Sequence, residues 1–523
     1  MNKVITSLIA IFSIAGAAHA QHPVDVQKLV VTITVDQLRG DYLQYFSPSF
    51  GERGFKRLLN EGLVYHQMQY DFPNINQASA VATLNTGAYP YSHSITGNKK
   101  YDFESKRELS IIYDSEYIGN YTSENFSPLA LTASTVGDEL KSASDGKSDV
   151  FSIAPDAQAS LLSAGRYANA AFWLDDYNGR WATTTYYKGI PWYVDRYNNS
   201  EITINKSDAL WTPALGNYKA FPYTKDTTPF KYNFSRGDKN RFLKIKQTPL
   251  INSEVTALAA KFFEYADFGK RTNPDLISIT YYAGNYTEKR SDEYGWEIQD
   301  TYYRLDNEIE RLLDLIEQKV GLKNTLVVLT STGYFETKST QVSGFKPAGE
   351  FFPNRCTALL NMYLMAIHGQ ANWVLGHYEN QIYLNKKYID DLKLDWATIL
   401  KKSSEFISQF SGVQEVTTSS EMIFEEHAAG RNAFRRGMSK KNSGHIFIEL
   451  QPGWVVVNEN DPETKIVQSN AIISPLIFFG NSIPKQHVYR PVKAVDVAPT
   501  ISHVLRIRPP NASKQIPLQE FLY

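Results

Sequence analysis

Three runs of almost unbroken apolar and β-branched residues stand out along the chain. Residues 29–35 form the first and end at Asp36; residues 275–282 and 325–330 form the second and third. A run without polar alternation suits a strand covered on both faces, as in a parallel sheet. Between the second and third, residues 300–320 place Leu305, Ile309, Leu312, Leu313 and Ile316 at helical spacing. Strand, amphipathic helix and strand in that order predict a right-handed parallel crossover. Residues 55–61 read as a helix stopped by Gly62, residues 472–480 as a further core strand, and residues 495–505 as a closing helix.

Two long stretches break this rhythm. Residues from about 155 to 265 are rich in Tyr, Trp, Asn and Lys, and residues from about 340 to 465 alternate short apolar runs with polar loops. Both read as inserted cap regions over the sheet. The expected fold class is therefore α/β, with a mostly parallel central sheet flanked by helices. One body spanning residues 21–523 carries it.

Residues 1–20 read as a signal peptide. Lys3 gives a basic start, residues 4–17 are mostly apolar, and Ala18-His19-Ala20 supplies small residues for cleavage. The apolar run is shorter than the roughly 20 residues that span a bilayer, and no later stretch is long enough. The expectation is export, to the periplasm if the source is Gram-negative, without a membrane span. Cys356 is the only cysteine, which excludes an intramolecular disulfide. A net charge of −1 gives no field to draw the chain to nucleic acid. The Arg435-Arg436 and Lys440-Lys441 cluster reads as a solvated loop. The 33 tyrosines, with ring and hydroxyl in one side chain, suit ligand or protein contact.

Several segments carry a resemblance to a known family. Val35-Asp36-Gln37-Leu38-Arg39-Gly40-Asp41-Tyr42, Gly54-Phe55-Lys56-Arg57-Leu58 and Asn85-Thr86-Gly87 resemble the alkaline phosphatase superfamily, in its bacterial phosphate-monoesterase and nucleotide pyrophosphatase/phosphodiesterase-like branch. Residues 168–173, 300–306, 449–454, 495–500 and 509–513 extend the likeness over almost the whole chain. The resemblance implies an alkaline-phosphatase-like core. It also implies two zinc ions held by Asp and His at strand ends, and a Thr or Ser alkoxide that attacks phosphorus.

Mapped onto this chain, that set is almost entirely replaced. The first ligand is kept as Asp36. Counting back ten residues from Gly87 puts Gln77 at the nucleophile position, and an amide cannot form a phosphoryl ester. The next Asp and His positions fall on Asn285 and Lys289, the following pair on Thr332 and Gly333, and the last His on Ile473. A phosphate-contacting Asn persists as Asn98, whereas the Lys-x-Arg pair falls on Pro155 and Ala157, flanking Asp156. One carboxylate does not hold a dication, so zinc is not expected as a cofactor. His66, His93, His427, His445, His487 and His503 show no pair at helical or hairpin metal spacing.

These residues read as a vestigial pocket of Asp36, Gln77, Asn98, Asn285 and Thr332. Asp36 is expected to order the strand-end loops by accepting backbone N–H bonds, in preference to holding metal. Asn98 either meets an anionic ligand or closes the turn after Gly97. Gln77 either bonds a neutral polar ligand or fills space. The leading functional expectation is an exported pseudoenzyme that binds a small polar ligand or joins an envelope protein complex. The alternative is a phosphoesterase with a non-standard metal site, built for instance from His427 with Glu425 or Glu426.

Overall fold

The computed structural model describes residues 27–522 apart from 103, 104, 106, 203, 217–228, 287–294, 339–347, 379, 425–428, 440, 458–466 and 482. The expected signal peptide, Lys289, and the Glu425, Glu426 and His427 group lie outside the described residues.

An eleven-stranded sheet organises the chain. Its strands are β1 (Leu29–Asp36), β2 (Leu63–Gln69), β3 (Gly119–Asn120), β4 (Val150–Ala154), β5 (Ala170–Leu174), β6 (Trp181–Thr184), β7 (Asp275–Tyr282), β8 (Thr325–Ser331), β9 (Ser474–Phe479), β10 (Gln486–Val488) and β11 (Val492–Lys493). The order is β10-β2-β9-β8-β1-β7-β4-β5-β6-β3, with β11 pairing β2. From β8 through β5 neighbouring strands are parallel, and β9 and β6 run antiparallel at either side. The α/β class read from the sequence is what is found.

Five helices matter for the site: α1 (Gln77–Thr86), α2 (Ala157–Ala164), α3 (Leu250–Tyr265), α4 (Trp296–Lys319) and α5 (Val497–Leu505). The near-continuous apolar run of β1 follows from cover on both faces. Val31, Ile33 and Val35 pack in one cluster with Val255 and Leu258 of α3 and Leu305 and Ile309 of α4. Val30 joins Leu84 of α1 and Ile501 of α5 on the other side. Helix α4 begins four residues before the expected start because Trp296 and Ile298 extend its buried face.

Register places the site. Asp36 pairs with Tyr282 across β1 and β7, and Val35 pairs with Ser331 across β1 and β8. Ile279 pairs with Ile153 across β7 and β4. The carboxyl ends of four parallel strands therefore deliver Asp36, Tyr282, the 331–333 turn and the 155–156 turn to one edge. Such an edge is where open α/β sheets collect ligands.

The two expected caps fare differently. The stretch 155–265 is not separate from the sheet, which corrects the expectation. It supplies β5 and β6 to the sheet and α3 to one of its faces, and its aromatic residues are largely core, as with Trp173, Trp181 and Phe262. The stretch 340–465 forms a unit with its own antiparallel sheet, ordered Val374–Tyr378, Gln381–Leu384, Ile446–Leu450 and Val413–Thr418. Helices Pro353–His368 and Trp396–Ile407 share an apolar core with it through Leu360, Leu400 and Ile446. It is fastened to the body where Arg436 Nη1 meets Asp71 Oδ2 at 2.5 Å. No helix among the described residues is long and apolar enough to cross a membrane.

Candidate functional site

Asp36 ends β1 and is 4% exposed. Its carboxylate accepts hydrogen bonds from three side chains. Gln77 Nε2 donates to Oδ2 at 3.1 Å, Thr332 Oγ1 donates to Oδ1 at 2.9 Å, and the Tyr334 hydroxyl donates as well. The sequence expectation of backbone N–H partners is corrected: the donors are side chains. Burial pushes the Asp36 pKa up to about 7; the Thr332 bond opposes the shift, and repulsion from Asp156 and Glu336 adds to it. At neutral pH this carboxyl is thus poised between its charged and neutral forms.

Gln77 opens α1, which starts at a reciprocal cap. Asn76 Oδ1 accepts from Ser79 N at 3.1 Å and Ser79 Oγ accepts from Asn76 N at 3.2 Å. This holds the first turn so that Gln77 Nε2 also reaches Asp156 Oδ2 at 3.2 Å. The amide of Gln77 thus bridges two carboxylates. Asp156 in turn faces the buried Lys246, whose Nζ lies 3.4 Å from Asp156 Oδ1 and also bonds Asp176. Burial opposes the Lys246 charge, yet Asp156 and Asp176 outweigh it and raise its pKa. Glu124 beside them is pushed up to about 7, first by burial and then by Asp176. The neighbourhood is acidic, and its buried cation is already held by carboxylates. A phosphate dianion meets repulsion here rather than a clamp.

Thr332 is fully buried. Its Oγ1 accepts from Gln37 N at 2.9 Å while donating to Asp36. Gln37 takes a left-handed φ of 61°, uncommon for a non-glycine residue, to make that turn. Its Oε1 accepts from Glu336 N at 3.0 Å, tying the β1 end to the strand Tyr334–Lys338. Gly333 has a φ of 75°, and a Cβ there would lie 2.1 Å from the Tyr70 ring. Tyr70 is buried and donates its hydroxyl to Ser331 O at 2.9 Å. Tyr282 donates to Asn285 O at 2.7 Å. Burial first, and then the charge of Asp36, raises the pKa of Tyr70, Tyr282 and Tyr334 well above the usual range. These tyrosines stay neutral and pack around one carboxyl.

A zinc pair does not fit this arrangement. Zinc needs several N, O or S lone pairs converging on one point. Both Asp36 oxygens already accept hydrogens, the Thr332 hydroxyl gives its proton to Asp36, and the Tyr70 ring takes the room beside Gly333. Among the described residues no three His, Cys, Asp or Glu side chains form a group that could hold a metal.

The structure thus brings Asp36, Gln77 and Thr332 into direct contact, with Gly333 beside them. Asn98 is exposed, and its Oδ1 accepts from Ala78 N at 3.0 Å, so it fastens a loop to the first turn of α1. Asn285 meets Tyr282 through its backbone carbonyl. Ile473 is 52% exposed, one residue past the bond from Ile472 N to Gly333 O at 2.9 Å. His93 and His445 are held by structural bonds: Ile95 N and Leu384 N donate to their Nδ1 atoms, and His93 Nε2 also lies 3.1 Å from Thr83 Oγ1. Two histidines without helical or hairpin spacing do meet in space: parallel β2 and β10 bring His66 Nε2 within 2.9 Å of His487 Nδ1. The rings share one N–H···N bond, which consumes the facing lone pair.

The sequence reading missed Tyr70, Tyr334, Glu336, Lys246 and the part played by Tyr282. The one available signal was the abundance of tyrosine, because no spacing rule links residues 70, 282 and 334.

Comparison with known proteins agrees with this frame. A family model for type I phosphodiesterase / nucleotide pyrophosphatase matches residues 30–472. Alkaline phosphatase PafA of Elizabethkingia meningoseptica is 27% identical, with 98% of each chain covered. Alkaline phosphatase PhoV of Synechococcus elongatus is 26% identical over 93% of this chain and 91% of its own. The crystal structure of wild-type PafA superposes with a TM-score of 0.77 at 25% identity, covering 94% of this chain and 98% of that one. From the strand order, the strand-end site and a family match over most of its length, the chain belongs to the type I phosphodiesterase / nucleotide pyrophosphatase family, within the alkaline phosphatase superfamily.

Proposed function

We propose that this chain is a non-catalytic member of its superfamily, exported to the periplasm and used as a binding or assembly protein of the cell envelope. The observation that carries the reading is the closed network of Asp36, Gln77, Thr332 and Tyr334. The side chains that the resemblance sets at the nucleophile and metal positions bond one another, which supports a site without chemistry. Tyr70 packed on Gly333 and the acidic surround of Asp156, Asp176 and Glu124 support it, since the ring takes up room beside Asp36 and the carboxylates repel a phosphate. Exposed Tyr167, Tyr177 and Trp192 offer the kind of rings that anchor protein contacts.

Metal analysis of protein purified without chelators tests the reading, together with turnover of p-nitrophenyl phosphate and bis-p-nitrophenyl phosphate. The expected result is substoichiometric zinc and no turnover above buffer. Stoichiometric zinc with hydrolysis of either ester overturns it in favour of a phosphoesterase with a displaced site. Affinity capture from envelope extracts then separates a partner protein from a small polar ligand.

A further inference from the structure

We infer that the 349–456 unit carries a binding cleft for a neutral saccharide. It is independent of the Asp36 network and shares no residue with it. A cavity of about 390 Å³ opens between the outer face of the four-stranded sheet, the Pro73-Asn74 loop and helix Ala429–Gly437. That volume lies in the range of small-molecule sites. Along Ile446–Leu450, Ile446 and Ile448 are buried in the unit's own core, so strand alternation turns Phe447 and Glu449 to the opposite face.

The cleft combines aromatic walls with free polar groups. Phe434, Phe447 and Trp454 line it. Trp454 is held close by two glycines: a Cβ on Gly349 or Gly412 would come within 2.6 or 2.1 Å of the indole. With no side chains there, the ring fits tightly and the wall is pre-formed. Three polar side chains at the lining, Asn74, Asn380 and Glu449, have no protein hydrogen-bond partner among the described residues. Among the described residues no Lys, Arg or His lines the cleft, and Glu449 is the only charged one that does.

This chemistry selects a class. Aromatic rings take the C–H face of a sugar, while amides and a carboxylate bond its hydroxyls. A lone carboxylate without a balancing cation rejects phosphorylated or carboxylated ligands. The segment from Glu449 to Trp454, which carries part of the family likeness, thereby gains a role the phosphatase site leaves unfilled.

The test uses the full chain, with saturation-transfer NMR and calorimetry against glucose, N-acetylglucosamine, cellobiose, chitobiose, glucose 6-phosphate and benzylamine. At least one neutral sugar is expected to bind saturably. Glu449→Gln should weaken it roughly tenfold, the effect of losing a hydrogen bond to a charged group. Phe447→Ala should abolish the ring-face signal, with far-UV circular dichroism unchanged in both variants. Glucose 6-phosphate should bind more weakly than glucose. The inference is overturned if no neutral sugar binds below about 10 mM. It also falls if the phosphate or the amine binds more tightly than every neutral sugar, or if Glu449→Gln leaves affinity unchanged. None of these outcomes bears on metal content or ester hydrolysis, so the two readings fail separately.

Discussion

The Tyr70 ring occupies the space that any side chain on residue 333 would need: a Cβ built on Gly333 would lie 2.1 Å from it. Glycine is required there twice over, by this contact and by a φ of 75°. Gly333→Ala is therefore expected to cost about 3 kcal/mol or more, from overpacking together with backbone strain. Tyr70→Ala in the same chain should recover part of that loss, because the ring is what the new Cβ meets. Urea unfolding of the two single variants and the double variant measures the coupling. Strict additivity would show that the ring is not the obstacle.

Placing a hydroxyl at residue 77 should not produce phosphatase chemistry. Gln77→Thr supplies a hydroxyl, but the Asp36 oxygens and Tyr70 still leave no room for the metals that would activate it. Turnover of p-nitrophenyl phosphate with added zinc is expected to stay at background. The variant should also lose stability, because Gln77 Nε2 no longer bridges Asp36 and Asp156. Measurable zinc-dependent turnover would mean that the pocket opens far more easily than its packing implies.

Asp36 should leave a signature in stability against pH. Its unfolded carboxyl titrates near 3.8 and its folded one near 7. Between these values the folded state holds a proton that the unfolded state lacks, so stability from this group falls as pH rises and levels off above about 7. The full span amounts to about 4 kcal/mol at most. Glu124, also pushed up to about 7, adds to the slope in wild type. Comparison with Asp36→Asn isolates one carboxyl: relative to wild type the variant should gain stability from pH 4.5 up to about 7 and level off above it. An offset that does not change with pH would contradict the assignment.

Asp306 fastens the loop before residue 55 to α4. Its Oδ1 accepts from Phe55 N at 2.7 Å and its Oδ2 from Gly51 N at 2.8 Å, and Gly54 lies so close that a Cβ there would come within 2.3 Å of Oδ1. Asp306→Ala leaves two backbone donors without their acceptor, so a loss of about 2–4 kcal/mol is expected. Asp306→Asn, which keeps one acceptor, should cost less. Thermal unfolding of both variants checks the order.

How much could be read in advance differs between frame and site. The β1, β7 and β8 runs announce buried parallel strands because cover on both faces leaves no polar alternation, and α4 announces itself through Leu305, Ile309 and Leu312. The stretch 155–265 misled because an aromatic-rich composition looks the same in a surface cap and in a core. Trp173 and Trp181 turn out to be sheet residues at 1% and 0% exposure. The residue types at positions 36, 77, 332 and 333 were legible one by one, since a side chain's chemistry is local. Their partners were not.

The sequence by itself determined the strands, the helix that follows β7 and the residue types gathered around Asp36. Each of these depends on residue type and short-range spacing. Only the tertiary structure decided that Tyr70 and Tyr334 would fill the pocket, that Gln77 would bridge Asp36 and Asp156, and that Lys246 would be held by Asp156 and Asp176. Those partners lie tens to hundreds of positions apart. Sheet register brings them together, and no local pattern encodes a contact at that separation.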